Sequence, residues 1–374
     1  MDGAVSAITE SKTMKLLLNT AIAVLVAAVM LAAQAGKTLD IYVADTEGGK
    51  AALYVAPSGQ AVLIDSGNPG ERDNGRIVAM LRDAGVERLD YLVSTHYHVD
   101  HIGGMQELSK RIPIAHYVDH GPSIEEREQI QGFQAAYAEL RSKSRHTVAK
   151  PGDRLTVTGV DFRIVTAGGE VLKRPLAGGG TPNAACGKTQ KKADPATPDE
   201  NAHSVGSVIT YGEFRAIDLG DLLWNEELEL MCPTNPIGTV DLYMVTHHGL
   251  ESSGADALVH GVRPRVAVMQ NGMRKGGTVA AYQILRASPG LEDIWQLHWS
   301  HAAGVEHNPP GVFIANVDDP ATIASVVTGS RGSSGASAEA HAPAHYLKIS
   351  ARPNGSFTVT NTRNGFTKTY AKRR

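Results

Sequence analysis

The sequence predicts an α/β protein in which two sheets are sandwiched between helices, a four-layer αββα arrangement. Three observations predict it. Strand-like alternation and helix-like spacing interleave along the whole length rather than segregating. The 374 residues are 42% hydrophobic and 20% charged, an ordinary globular composition with enough apolar material for one sizeable core. Finally, the histidines and aspartates that could carry chemistry fall just after apolar runs, where strands end.

Taken in order, residues 39–43 alternate like a strand, and 51–55 and 61–64 flank Pro57-Ser58-Gly59 as a hairpin. Residues 77–84 have helical spacing with Gly85 as the stop, and 89–94 read as a buried strand. A helix should follow, ending near Arg111, then a short strand over 112–118 and a charged helix or small lid over 123–142. Strands return at 154–157 and 161–165. The Gly/Pro/Lys/Thr-rich stretch 168–200 is expected to be a long loop, of the kind that is usually functional or disordered; it runs directly into a candidate ligand, which makes a rim or lid over the site the functional reading. Residues 207–211 and 214–219 form the next hairpin; 240–246 and 265–269 read as buried strands with a helix over 255–262 between them. Residues 329–344 are a Gly/Ser/Ala-rich flexible loop, and 345–374 hold a C-terminal hairpin turning at Pro353-Asn354-Gly355.

The N-terminus reads as an export signal. Met14-Lys15 precedes an apolar stretch over 16–33 that ends in Ala33-Gln34-Ala35, a small-x-small cleavage site before Gly36. Residues 1–35 are therefore expected to be removed, leaving 374 − 35 = 339 residues with a hydrolase-sized domain over 36–328; an uncleaved anchor is the competing reading. The expected location is periplasmic or secreted, with no membrane contact after cleavage. There Cys186 and Cys232 either pair or remain unrelated thiols. The formal net charge of −3 carries no electrostatic footprint for a stable nucleic-acid complex.

The most informative run is His96-Tyr-His98-Val-Asp100-His101. Alternate residues of a strand end point to one side, so His96 and His98 can share one metal. If a helix begins next, Asp100 and His101 emerge together from its first turn and can hold a second. Two cations with water between them form a hydrolytic centre at neutral pH. This run, followed by Ile102-Gly103-Gly104, resembles the signature of the metallo-β-lactamase superfamily. The resemblance implies that family's αββα sandwich. It leaves the substrate open, because the superfamily includes lactamases, thioesterases, lactonases, nucleases and phosphodiesterases.

Such a site also needs a bridging carboxylate and a further ligand for each metal. Asp221 is the bridge, delivered by the run 214–220 with Gly220 allowing close approach; Asp218 is its rival. His203, in His203-Ser-Val-Gly-Ser207, is the candidate to complete the first site, with His120 in reserve and His116 behind it. His247-His248-Gly249 resembles the competence-protein-type and phosphorylcholine-esterase branch; one histidine should ligate, with His247 preferred, and His248 should face the substrate. Asp65 is expected either to orient a ligand histidine or to cap a turn. Trp295, His298, Trp299 and His301 line a pocket or pack in the core, and Lys188, Lys191 and Lys192 attract an anion or form a solvated run.

The expectation is a secreted hydrolase with two divalent ions, zinc before manganese or iron. His96, His98 and His203 hold one ion, and Asp100, His101 and His247 the other, with Asp221 between them. Asp100 also orients the nucleophile. The branch resemblance implies a phosphoester or phosphodiester substrate. The alternatives are a lactone, lactam or carboxylic ester, and a non-catalytic metal-binding surface protein. The sequence leaves the oligomeric state open.

Overall fold

The computed structural model describes residues 37–193, 197–317 and 343–373. The stretch expected to be an export signal, residues 1–35, and residues 329–342 of the loop expected to be flexible lie outside the described residues. The described residues from Leu39 onward form one compact unit.

Two sheets organise it. The first runs Thr367–Tyr370, Phe357–Asn361, Leu347–Ala351, Leu39–Val43, Ala52–Val55, Ala61–Ile64, Tyr91–Val93, His116–Asp119, Arg145–Val148. The second runs Ile314–Asn316, Asp293–His298, Val266–Met269, Leu242–Met244, Phe214–Asp218, Gly206–Tyr211, Val160–Ala167, Arg154–Val157, with Glu170–Val171 on the side of Val160–Ala167. Alternation along each strand sends one set of side chains between the sheets and the other outward. Ile41, Val43, Ile64 and Val93 thus meet Ile164, Ile209, Ala216, Met244, Val268 and Trp295 in a central core. The opposite faces are covered by helices. Ile77, Met80 and Leu81 of Glu71–Asp83, with Tyr137 of Glu128–Ser142, pack on the first sheet. Leu228, Leu258 and Leu285, from Trp224–Met231, Asp256–Val262 and Val279–Ala287, pack on the second. This is the expected αββα sandwich.

Several local expectations change. The helix after the ligand run is two short pieces, Val99–Ile102 and Met105–Leu108. The strand expected over 112–118 narrows to His116–Asp119. The strand Asp293–His298 takes up the first part of the stretch 295–301 read as possible pocket lining. Trp295 is fully buried between the sheets, where its indole N–H donates to Tyr370 Oη at 2.9 Å and Phe313 meets its ring edge-on. It is core, not pocket. Cys186 and Cys232 are disulfide-bonded, tying the 168–200 stretch to the end of helix Trp224–Met231. No helix of the described residues is long and apolar enough to cross a membrane.

Candidate metal centre

In each sheet the strands nearest the site run parallel. Tyr91–Val93 lies between parallel neighbours, and so do Leu242–Met244 and Val266–Met269. The candidate residues leave the carboxyl ends of these strands, where open α/β sheets bind ligands.

From the first sheet come residues 94–101. Asp65, at the end of Ala61–Ile64 with φ +61, anchors this run. Its Oδ1 accepts from Thr95 N (2.8 Å), and its Oδ2 accepts from Thr95 Oγ1 (2.7 Å) and His101 Nδ1 (2.8 Å). The proton on Nδ1 leaves the His101 Nε2 lone pair facing Asp221 Oδ2 at 3.1 Å and Asp100 Oδ2 at 3.3 Å. His96 Nε2 and His98 Nδ1 lie 3.0 Å apart, and His96 Nε2 is 4.0 Å from Asp221.

From the second sheet, Phe214–Asp218 delivers Asp221 through Gly220. That glycine has φ +60, and a Cβ there would lie 2.7 Å from Thr95 Cβ, so only glycine lets the two sheet ends meet. Asp218, the rival, turns away to Lys50 Nζ (2.6 Å) and Tyr54 Oη (3.3 Å) between the sheets. After Leu242–Met244 the chain enters left-handed backbone at His247 (φ +53) and His248 (φ +57). His248 Nδ1 donates to Gln270 O at 3.0 Å, which aims Nε2 at Asp221 (3.2 Å) and Asp100 (3.4 Å). His247 Nε2 is 3.6 Å from the same Asp221 oxygen, with its Nδ1 between Ser252 Oγ (3.0 Å) and Ser253 Oγ (3.1 Å).

Asp100, His101, Asp221 and His248 therefore offer four ligand atoms within 4.8 Å of one another. The preference for His247 shifts: the geometry puts His248 inside this group, because the left-handed turn aims its ring inward. His203 is not brought to His96 and His98. Its ring lies 5.4 Å from that of His120, whose Nε2 donates to Glu200 at 2.7 Å. His98 Nε2 instead faces Glu125 at 3.3 Å. His116 bonds Thr147 at the amino end of its strand, away from the site. His298 pairs with Asp45 at 2.7 Å, and Lys192 lies 3.9 Å over the Trp224 ring.

The donor set fits a divalent cation. Both His101 and His248 give their Nδ1 proton to a fixed acceptor, so in the neutral rings two lone pairs converge on carboxylate oxygens. That arrangement is repulsive unless positive charge sits among them. Asp221 Oδ1 and His248 Nε2 are buried without a hydrogen-bond partner, orphaned atoms of the kind that mark a ligand position. Burial opposes charge on His101, yet Asp221, Asp65 and Asp100 outweigh it and hold its pKa well above the usual value: the carboxylates draw positive charge to Nε2, a demand that a proton or a bound cation meets. Burial likewise pushes Asp221 up, but the imidazoles of His101, His248 and His247 hold it well below the carboxylate range. Burial keeps His96 and His98 neutral, leaving nitrogens suited to metal ligation, and drives His247 down to about 4, so that ring is neutral too.

Glu200, Glu125 and Lys275 escaped sequence reasoning. Glu200 accepts from Tyr97 N, Ile124 N and His120, clamping the ligand run to the end of the 168–200 stretch. No spacing rule links such distant residues. Lys275, bound to Asp100, lies in Gly272-Met-Arg-Lys-Gly-Gly277, a glycine-rich strand exit that was a legible signal.

A family model described as the metallo-beta-lactamase superfamily matches residues 45–255, and the chain belongs to that family. Among curated relatives, the Coenzyme F420H(2) oxidase of Methanothermobacter marburgensis is 34% identical over 99 residues, 26% of this chain and 23% of that one. Competence protein ComA of Neisseria gonorrhoeae is 25% identical over 220 residues, 59% of this chain and 25% of that one. The chain thus spans about a quarter of the length of these two relatives. Of solved structures, the metallo-beta-lactamase fold protein YhfI from Bacillus subtilis aligns over 70% of this chain and 96% of its own, at 12% identity and a TM-score of 0.41.

Proposed function

We propose that this superfamily member is an exported hydrolase of phosphoesters or phosphodiesters that works with two divalent ions, preferably zinc. One observation carries the reading: a single oxygen, Asp221 Oδ2, lies within 4.0 Å of four imidazoles, those of His101, His248, His247 and His96. Asp100, His101, Asp221 and His248 would hold one ion; His96 and His98 would contribute to the second. When bound, the ions would acidify a water and polarise the scissile group.

The chain's own residues do the rest. Asp65 and Gln270 O fix the tautomers and aim of His101 and His248. With a serine hydroxyl donating to His247 Nδ1, that ring's proton would sit on Nε2, where it would serve as a neutral donor to developing negative charge. His247 thus takes the substrate-facing role expected of His248. Asp100, at the rim, positions the attacking group. The likeness of residues 246–249 to the phosphorylcholine-esterase branch supports a phosphoester. The signal-like N-terminus and the disulfide support an oxidising compartment outside the cytoplasm. The formal charge of −3 supports a small substrate over a stable nucleic-acid partner.

The test is a substrate panel with zinc and with manganese: bis-p-nitrophenyl phosphate, p-nitrophenyl phosphorylcholine, a homoserine lactone and nitrocefin. Turnover of the first two is expected. Turnover confined to the lactone or nitrocefin would replace phosphoester with carbonyl chemistry. Full metal loading with none turned over would leave a non-catalytic metal-binding protein.

A further inference from the structure

We infer that Lys275 is the anchor for the substrate's anionic group, and so a specificity-determining residue for phosphate-bearing esters. The inference deepens the phosphoester reading and rests on it.

Lys275 is placed by construction rather than by chance of a surface side chain. The strand Val266–Met269 ends beside the site, and its exit folds back over His248. Gly277 N donates to His248 O at 2.9 Å, and Gly272 N donates to Lys275 O at 2.9 Å, closing a tight turn. Gly276 has φ +77, and a Cβ there would lie 2.0 Å from His248 O, so this turn presses onto the histidine only with glycine at that position. From the turn Lys275 Nζ reaches Asp100 Oδ2 in direct contact. The lysine side chain is 39% exposed and that of Asp100 17%, so the ammonium stands at the mouth of the cluster and not inside it. Arg127, the cation on the His98 side, is already bound to Glu125.

The same Asp100 oxygen lies 3.3 Å from His101 Nε2 and 3.4 Å from His248 Nε2, within the four-ligand group. Ammonium and metal ion therefore claim one carboxylate. A divalent cation there repels the neighbouring ammonium and weakens its hold on Asp100. The four-carbon stem of lysine lets Nζ turn outward without moving the backbone. Its charge then adds to that of the ions on the open side, and the site carries more positive charge than its carboxylates balance. A phosphate oxygen meets that excess; a neutral lactone gains nothing from it.

The experiment titrates inorganic phosphate into the zinc-loaded full chain by calorimetry, with zinc per chain measured in the same samples, for the native protein, Lys275→Met and Lys275→Arg. Phosphate affinity is expected to fall about 10- to 100-fold in Lys275→Met, the loss of one charge-assisted hydrogen bond. It should largely return in Lys275→Arg, with zinc per chain equal in all three. Equal affinity in Lys275→Met overturns the inference, as does native protein that binds no phosphate. A loss of affinity that tracks a loss of zinc overturns it too, since the lysine then serves only to hold Asp100. The broader reading fails on a different readout: native protein that hydrolyses nitrocefin but not bis-p-nitrophenyl phosphate.

Discussion

Two clusters of nearly the same composition lie in this protein. Asp100, His101, Asp221 and His248 form one; Asp45, Glu47 and His298 form the other, also with ligand atoms within 4.8 Å of one another. The difference lies in what occupies the centre. In the second cluster Arg76 reaches Asp45 at 2.9 Å and Glu47 at 3.2 Å, and His298 Nε2 donates to Asp45 at 2.7 Å. Its negative charge is met by a guanidinium, and the group locks helix Glu71–Asp83 and strand Asp293–His298 to the turn after Leu39–Val43. In the first cluster Lys275 reaches only Asp100, from the exposed side, and Asp221 Oδ1 and His248 Nε2 stay orphaned. Counting histidines and carboxylates does not separate a metal centre from an ion-pair lock. Whether an arginine of the protein bridges the carboxylates does.

The largest effect expected from this contrast is at Asp221. Asp221→Ala should lower bound zinc well below the native content and cut phosphodiester turnover by roughly 10³-fold or more, several kcal/mol of transition-state charge stabilisation. Metal analysis and steady-state kinetics check it. Asp45→Asn should do the reverse: zinc content unchanged, but folding stability lower by about 3–5 kcal/mol, because Arg76 loses its main partner in a buried pair. Denaturant unfolding reads this directly. If Asp45→Asn also sheds zinc, the two clusters are not different in kind.

A sharper version sets the two adjacent histidines against each other. His248→Ala should weaken zinc binding at least about 100-fold. His247→Ala, which removes a ring outside the four-ligand group, should weaken it about tenfold. Competition with a chelating dye measures both, and the opposite ranking would return the ligand role to His247.

This pair also marks where the sequence stopped being legible. The run 96–101 could be read because its geometry is local: ligands two residues apart at a strand end, then two more at a helix start. Asp221 could be read because glycine and aspartate follow a strand. Which of His247 and His248 points inward depends on left-handed backbone at two consecutive non-glycine residues, which no periodicity forecasts. His203 was expected beside His96 on motif order alone, but Gly168 N bonds its carbonyl and its ring falls next to His120. Trp295 was ambiguous because its burial depends on Tyr370, contributed by a strand far along the chain. The central layers were legible from alternation; the contacts between distant elements were not.

The last contrast is between two buried carboxylates in one stretch of chain. Imidazoles hold Asp221 ionised, so what it contributes to stability is present at neutral pH and lost on acidification. Glu227, in helix Trp224–Met231, has no such partner. Burial pushes its pKa from 4.5 up to about 8, only partly offset by the N–H groups of Ala255 (2.7 Å) and Gly254 (3.0 Å). The folded state therefore holds a proton that the unfolded chain releases above about pH 4.5. Between that pH and about 8 the folded state binds more protons, so this residue makes stability fall as pH rises, and the penalty is complete above about 8. Glu227→Gln keeps the shape and cannot ionise. Relative to it, the native protein should lose about 2–4 kcal/mol of unfolding free energy between roughly pH 5 and pH 8. Denaturant titrations of both proteins across that range give the answer. Parallel curves would mean that its hydrogen-bond partners keep Glu227 ionised in the folded state.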